Sequence, residues 1–237
     1  MINLIVKILI PFFTFIRKSL IIIKFYTSTK NQRVFEIYEK EEIKDCYDHF
    51  KKFFPSSVFL DEADIKHYAI KKALLNDKDI KMSYLEFGVF KGYSTNIFAS
   101  YVKDLYAFDS FEGLRDDWKG FYFASGKFNL NKKIPKLKKN VIPIVGWIED
   151  TLEKFLTDSH KINFIHIDVD TYETTKFILD KTKPFLQKGA IINFDELYNF
   201  PGWRSGEYKA LCEVFSDNEY EFLAFSMKGE QAVIRIL

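Results

Sequence analysis

The chain has 237 residues, of which 47% are hydrophobic and 18% aromatic, with a formal net charge of +2. This length suits one α/β domain with a buried core and short appendages, and the balanced charge excludes a whole-molecule argument for nucleic acid binding. The two cysteines, Cys46 and Cys212, have neither metal-type nor disulfide-framework spacing, which is typical of a reducing compartment and predicts a cytoplasmic protein.

The first 26 residues, "MINLIVKILIPFFTFIRKSLIIIKFY", are apolar but are interrupted by basic residues and a proline. Their longest uncharged run, Ile8 to Ile16, is far shorter than the roughly 20 residues that cross a bilayer, and no small-residue cleavage site follows it. If the segment is helical, its basic residues, among them Lys7, Arg17 and Lys24, recur at about one-heptad intervals and form a narrow stripe on an apolar helix. This pattern suits a helix that lies on an anionic membrane surface, here the inner face of the membrane. The alternative is an arm packed on its own domain or on a second subunit of a homo-oligomer.

A helical region is predicted next. Apolar residues at helical spacing between Glu36 and Asn76 indicate two helices separated by "FPSS". Because both precede the first strand-like run, we predict an apolar, basic arm over residues 1–33, a helical cap over 34–80 and a catalytic-sized domain over 81–237.

From residue 83 the chain alternates between short β-type runs and helix-length segments. The runs are "SYLEFGV", "DLYAFDS", "VIPIVGW", "INFIHIDVD" and "AIINFDE", followed by two runs joined by a turn in "YEFLAFSMKGEQAVIRIL". Such alternation is typical of parallel strands connected by helices. It predicts an α/β fold, a Rossmann-like three-layer sandwich with a seven-stranded, mostly parallel sheet and a C-terminal antiparallel hairpin.

The turn after the first of these strands, "YLEFGVFKGYST", is framed by Gly88 and Gly92. Phe90 stands where a dinucleotide fingerprint has its bare middle glycine, so phosphate binding is disfavoured. S-adenosylmethionine suits the turn better, since Glu86 can meet its ammonium group and N–H groups near Gly92 and Ser94 its carboxylate. The alternative is a structural turn in which Ser94 caps the next helix.

Asp109 ends the second strand-like run, about twenty residues later, where a carboxylate binds ribose hydroxyls in nucleoside-binding α/β folds. Phe111 and Trp147 follow the second and third strands and are placed to sandwich an adenine ring. Aromatic residues are abundant here, so both also suit the core.

Acidic residues follow the fourth and fifth strands: Asp168, then Asp195 and Glu196. Adjacent parallel strands lie about 4.8 Å apart, so these carboxylates converge and repel one another unless a cation neutralises them. Oxygen ligands favour Mg²⁺. Asp168 is the candidate for both metal ligand and base acting on an acceptor hydroxyl. The alternative is that these acids cap helices or pair with lysines; His166 is expected to be a core histidine.

Five strings together resemble the macrocin O-methyltransferase family of class I S-adenosylmethionine-dependent methyltransferases: "YLEFGVFKGYST", "LYAFDSFEGL", "GWIEDTL", "FIHIDVDTYETT" and "GAIINFDELYNFPGWRSGEYKAL". The resemblance implies cofactor contacts from Glu86, Gly88, Ser94, Asp109 and the Trp147 region. It also implies metal held by Asp168, Asp195 and the next residue, with Asp168 as the base. Glu196 departs from the family, which commonly has a second Asp there.

These observations predict a Mg²⁺-dependent enzyme that moves a methyl group from S-adenosylmethionine to a hydroxyl of a sugar or glycan precursor. Trp203 and Arg204, in "NFPGWRSGEY", are the candidate substrate contacts. Two alternatives stay open: a catechol-like or other small hydroxylated acceptor, and a non-catalytic S-adenosylmethionine-binding scaffold.

Overall fold

The computed structural model describes residues 16–19, 33–77, 82–118, 124–157 and 161–237. They fall into two compact units, one within Met1–Glu41 and one within Glu42–Leu237. The predicted membrane-contact segment, residues 1–26, lies outside the described residues except for 16–19, which are helical. Among the residues that the structure describes, no helix combines the length and the apolar character that a bilayer crossing requires.

A single mixed sheet forms the centre of the larger unit, with strand order β1-β7-β8-β6-β5-β2-β3-β4. Only β8 runs against its neighbours, because it pairs antiparallel with both β6 and β7 while the other pairings are parallel. The predicted α/β fold with a C-terminal antiparallel hairpin is therefore confirmed. The strands are β1 (Val58–Leu60), β2 (Ser83–Phe87), β3 (Leu105–Asp109), β4 (Val141–Val145), β5 (Ile162–Ile167), β6 (Leu186–Phe194), β7 (Tyr220–Ser226) and β8 (Ala232–Ile236).

The predicted count of seven strands is one too few. The additional strand, β1, adds to the outer side of β7, with Val58 opposite Ala224. It has only three residues, and Val58 and Phe59 are both exposed, so it carries no alternation of buried and exposed side chains that a sequence pattern would reveal.

Helices cover both faces of the sheet, as the predicted three-layer sandwich requires. One face packs on α2 (Glu62–Leu74) and α3 (Tyr93–Phe98). The other packs on the end of α1 (Val34–Phe50) and on α4 (Ile148–Phe155), α5 (Tyr172–Thr182) and α6 (Glu207–Val214). Alternate residues of β2 divide accordingly, with Leu85 and Phe87 in one apolar cluster and Tyr84 in the other.

The strand order places a topological switch beside β2. The chain leaves β2 for β3 on one side, whereas β5 flanks β2 on the other. Ligands of open α/β sheets bind outside the carboxyl ends of strands at such a point, which here brings together the residues that follow β2, β3, β5 and β6.

Candidate active site

A cavity of about 350 Å³ opens at the carboxyl ends of these strands. Three groups of residues line it: the turn after β2, the residues that follow β3 and β4, and the acids that follow β5 and β6. Phe90, Trp118, Phe128 and Trp147 supply aromatic surface, and Asp168, Asp170 and Glu196 supply carboxylates. A largely apolar wall facing a few converging polar groups is the usual construction of a small-molecule site.

The turn after β2 is shaped by contact with the end of β5. Gly88 has φ +87°, and a Cβ there would lie 1.7 Å from the backbone oxygen of Asp168. Gly92, with φ +77°, is the N-cap residue of α3, so Ser94 lies inside the first turn, and the alternative of Ser94 as cap is wrong. Both glycines are thus required by the fold itself, whatever ligand the turn binds.

Asp109 fastens this turn to the end of β3. Its Oδ2 accepts hydrogen bonds from the backbone N–H groups of Val89 and Phe90, both at 2.8 Å, and its Oδ1 accepts one from Phe111 at 2.7 Å. A carboxylate has about four acceptor positions, so roughly one stays available to a ligand. Asp109 also lines the cavity, and its predicted ribose contact would be a single hydrogen bond, not a grip with both oxygens.

The predicted adenine sandwich needs correction at Phe111. This residue is only 1% exposed and packs in the apolar cluster beneath α3, away from the cavity lining. Trp147 does line the cavity, and the Arg115 guanidinium lies 5.4 Å from the centre of its ring.

Glu86 lies below the turn and is fully enclosed. Its carboxyl group is 4.0 Å from His166 Nε2 and is absent from the cavity lining. Burial raises the pKa of Glu86 to about 8, although the Ser94 and Thr95 hydroxyls act in the opposite direction. Direct contact between Glu86 and a ligand's ammonium group stays a prediction.

Asp168, Asp170 and Glu196 form the acidic cluster of the cavity, with ligand oxygens that all lie within 4.8 Å of one another. Burial, reinforced by the neighbouring carboxylates, raises the pKa of Asp168 and Glu196 well above the ordinary range and that of Asp170 to about 7. Glu196 Oε2 is buried and has no hydrogen-bond partner among the described residues. Glu207 holds the turn in place, since its Oε2 accepts a 2.9 Å hydrogen bond from the Glu196 N–H group.

Asp195 lies beside this cluster but is paired with Lys66 of α2. Burial favours the neutral acid, but the Lys66 ammonium outweighs it and holds the pKa of Asp195 below its usual range. His166 Nε2 lies 3.9 Å from both Asp195 and Asp168. Burial lowers the pKa of His166 to about 3, so this core histidine is neutral.

Trp203 and Arg204 do not line the cavity, so the structure gives no support to their prediction as substrate contacts. Trp203 is 0% exposed and packs among His49, Phe50 and Tyr208. Arg204 stacks on Trp203 and pairs with Asp45, so its charge is directed to α1. The prediction rested on an aromatic and a basic residue that follow β6, and this pattern is equally typical of an aromatic residue buried in the core with a basic residue stacked on it.

The predicted site residues did not include Lys66, Asp170 or Glu207. Asp170 had a signal, because it follows Asp168 by two residues at the same strand end. Lys66 had none, since its partner is 129 positions away along the chain. Glu207 begins α6, a position where acids usually only complement the helix dipole.

The donor set of the acidic cluster fits a hard divalent cation. All its ligand atoms are carboxylate oxygens, they converge, and one of them is buried without a partner. No cation is present in the structure, and the fit rests on these residues alone.

Residues 85–197 match the family model described as a methyltransferase domain. The fold is shared with the crystal structure of CalS11, a calicheamicin methyltransferase, at 20% identity and a TM-score of 0.60 over 86% of this chain and 94% of that one. An apo structure of CalS11, described as a TDP-rhamnose 3'-O-methyltransferase, aligns at 22% identity and a TM-score of 0.52 over 72% and 76% of the two chains. The O-methyltransferase NovP aligns at 17% identity and a TM-score of 0.56 over 73% and 78%. No curated protein sequence matches the chain.

Proposed function

We propose that the protein is an S-adenosylmethionine-dependent O-methyltransferase of the macrocin type that acts, with Mg²⁺, on a hydroxyl of a sugar or glycan precursor. One observation carries the proposal: a single cavity joins the turn after β2, Asp109 and Trp147 to the acidic cluster of Asp168, Asp170 and Glu196. A donor and an acceptor hydroxyl can therefore meet at one point.

Trp147, Asp109 and the turn at Gly88, which line the cavity, would hold the adenosyl part of the donor. S-adenosylmethionine, when bound, supplies a methyl group on a positively charged sulfur that a hydroxyl oxygen can attack, leaving a neutral thioether. The chain's contribution is to hold the two reactants in line and to keep water out, for which the aromatic wall of the cavity is suited.

Asp168 is the proposed base. It reaches the cavity with a side chain 35% exposed, so it is placed to take up the hydroxyl proton as the O–C bond forms and the S–C bond breaks. Asp168 would hold the cation together with the predicted Asp195 and Glu196 or with Asp170, and the cation would supply the positive charge that lowers the pKa of an acceptor hydroxyl.

A sugar acceptor is supported by the aromatic surface beside the acids. Trp118, Trp147 and Phe128 offer flat faces of the kind on which sugar rings pack. The fold shared with CalS11, described as a TDP-rhamnose 3'-O-methyltransferase, supports the same class of acceptor.

The test is a methyl-transfer assay against nucleotide sugars, glycan fragments and free catechols, with and without a chelator. We expect transfer to a sugar hydroxyl, its loss with chelator, and a fall of about 100-fold or more in Asp168→Asn. Turnover that survives chelation contradicts the metal, preference for catechols contradicts the acceptor class, and donor binding without any turnover indicates a non-catalytic scaffold.

The proposal also includes the predicted domain boundaries at residues 34 and 81 and a function for the N-terminal arm, residues 1–33. Residues 1–26 bind the inner face of the membrane from the cytoplasmic side, close to a lipid-linked or glycan precursor. Sedimentation with anionic vesicles tests this: the full chain binds and a chain without residues 1–30 does not. Equal binding of the two forms contradicts it, and a change in oligomeric state on removal indicates a subunit contact.

A further inference from the structure

Two phenylalanine–lysine pairs form one edge of the cavity, and the proposed mechanism uses neither lysine. Phe90 and Phe128 both line the cavity and contact each other edge to face, with ring centres 5.2 Å apart. The Lys91 ammonium lies 5.0 Å from the centre of the Phe90 ring, and the Lys127 ammonium lies 5.9 Å from the centre of the Phe128 ring. Each ring therefore has a positive charge beside it at the edge of the cavity.

Both phenylalanines have a backbone conformation that costs free energy. The angle φ is +46° at Phe90 and +67° at Phe128, in the left-handed region that a residue with a Cβ rarely adopts. Asn131 and Lys132, with φ of +53° and +62°, lie in the same strained segment as Phe128. Such strain persists only where the surrounding structure maintains it, and it is concentrated at functional sites and ligand clamps. It indicates that the positions of Phe90 and Phe128 serve a ligand.

The segment that contains Lys127 is fixed to the body of the domain. The Leu114 N–H group donates a 2.9 Å hydrogen bond to the Lys127 carbonyl, and the Lys132 N–H group donates one of 3.0 Å to the Phe111 carbonyl. Leu114 itself lines the cavity. Lys127 is thus an exposed side chain on a backbone that is held against the cavity wall.

The sequence of this segment is strongly basic. No acidic residue occurs between Asp117 and Glu149, whereas the same stretch contains seven lysines, in a chain whose net charge is only +2. The lining of the cavity is the opposite, since Asp168, Asp170 and Glu196 contribute carboxylates. A ligand therefore meets acids inside and ammonium groups at the edge, which fits a molecule with hydroxyls at one end and an anionic group at the other.

We propose that the acceptor is a phosphorylated sugar, whose hydroxyl enters the cavity while Lys91 and Lys127 bind its phosphate at the edge. The inference deepens the proposed function and rests on it for the methyl transfer. An ammonium group binds phosphate as a point charge through charge-assisted hydrogen bonds. The acids inside repel the phosphate, so the charges also determine which end of the acceptor enters. A sugar on a nucleoside diphosphate and a sugar on a lipid diphosphate share this chemistry.

The first experiment titrates the full chain with inorganic pyrophosphate in the absence of divalent cations. Tryptophan fluorescence is the readout, because Trp118 and Trp147 line the cavity. We expect Lys91→Gln and Lys127→Gln each to weaken binding by at least about threefold, and the double variant by at least about tenfold.

Lys188→Gln is the matched control for this titration. Lys188 is exposed and lies near the start of β6, at the edge of the sheet opposite the cavity, so this variant should bind pyrophosphate as the wild type does. A wild-type protein that binds no pyrophosphate, or a loss in Lys188→Gln equal to that in Lys91→Gln, overturns the proposal.

Donor binding is measured in the same variants, because Lys91 also lines a second cavity of about 540 Å³ together with Ser94. The affinity for S-adenosylmethionine in calorimetry should change by less than about threefold in the double variant. A tenfold loss would assign the lysines to the carboxylate of the donor and overturn the proposal.

Methyl transfer tests the acceptor class directly, with one sugar supplied as a neutral methyl glycoside, a 1-phosphate, a nucleoside diphosphate ester and a lipid diphosphate ester. The wild-type KM should be at least about tenfold lower for a phosphorylated form than for the glycoside, and the double variant should lose this preference. The phosphorylated form with the lowest KM identifies the source of the phosphate. Equal KM values for neutral and phosphorylated acceptors contradict this inference alone. The pyrophosphate pattern without transfer to any acceptor contradicts the proposed function alone.

Discussion

At the scale of single residues, Gly88 shows how closely the site and the fold depend on each other. Gly88→Ala would place a methyl group on the Asp168 carbonyl at φ +87°, and we expect a loss of about 3 kcal/mol or more in the free energy of unfolding. Gly126 is the control: its φ of +79° is similar, but no atom lies within 4 Å of its added Cβ. Gly126→Ala should lower the free energy of unfolding, measured in urea, by only about 1 kcal/mol, which is the cost of a left-handed backbone conformation for a residue with a Cβ. Equal losses would contradict the steric argument.

A second prediction for a single residue concerns Asp109. Asp109→Asn replaces an acceptor oxygen by an NH₂ group that cannot accept from the N–H groups of Val89, Phe90 or Phe111, and a buried donor left unpaired costs about 1–3 kcal/mol. We expect that loss of unfolding free energy together with weaker S-adenosylmethionine binding in calorimetry. Asp116→Asn, at an exposed position of the following loop, should change both by little. Full donor affinity in Asp109→Asn would contradict the turn's part in binding.

At the scale of elements, the last turns of α1 are part of the core. Phe50 is fully buried and packs edge-on or tilted against Tyr198, Trp203, Tyr208, Phe222 and Phe225. Phe50→Ala should therefore cost about 3–5 kcal/mol. Tyr47→Ala, one turn earlier at a position 58% exposed, should cost less than about 1 kcal/mol. Thermal unfolding followed by circular dichroism separates the two, and a small effect of Phe50→Ala would mean that α1 is a detachable cap.

The secondary-structure elements differ in how well the sequence alone predicts them. The strands β2 to β8 were predictable, because each is a short apolar or β-branched run separated from the next by a polar segment or a turn. Strand β1 was not, since a three-residue edge strand is specified by its partner β7 and not by its own pattern. The acids at the strand ends were also predictable, because each directly follows a strand-like run in the sequence. Their division into a paired Asp195 and an unpaired cluster was not, because Lys66 comes from a helix that precedes the sheet.

At the scale of the whole molecule, the described residues at the centre of the fold include more buried carboxylates than buried basic side chains. The folded chain keeps protons on Glu86, Asp170 and Glu230 up to a pH of about 7 or 8, since their pKa values are raised to about 8, 7 and 7 by burial and, for Asp170 and Glu230, by neighbouring carboxylates. The unfolded chain releases the same protons near pH 4 to 4.5. The folded state therefore binds more protons between these values, and its stability falls as pH rises.

This imbalance predicts a pH dependence that a cation reverses. Burial lowers the pKa of His166 to about 3, so its contribution to the free energy of unfolding is lost mostly as pH falls below the unfolded value near 6.5 and changes little between pH 7 and 8.5. Without divalent cations, the unfolding free energy should fall across this range by a few kcal/mol, and Glu86→Gln should flatten the decline while Glu41→Gln, at an exposed position, leaves it unchanged. Saturating Mg²⁺ should raise the unfolding temperature more at pH 8.5 than at pH 7, because only ionised carboxylates bind it. Stability that rises with pH in the metal-free protein, or Mg²⁺ stabilisation independent of pH, would show that the acids are ionised and neutralised by other means.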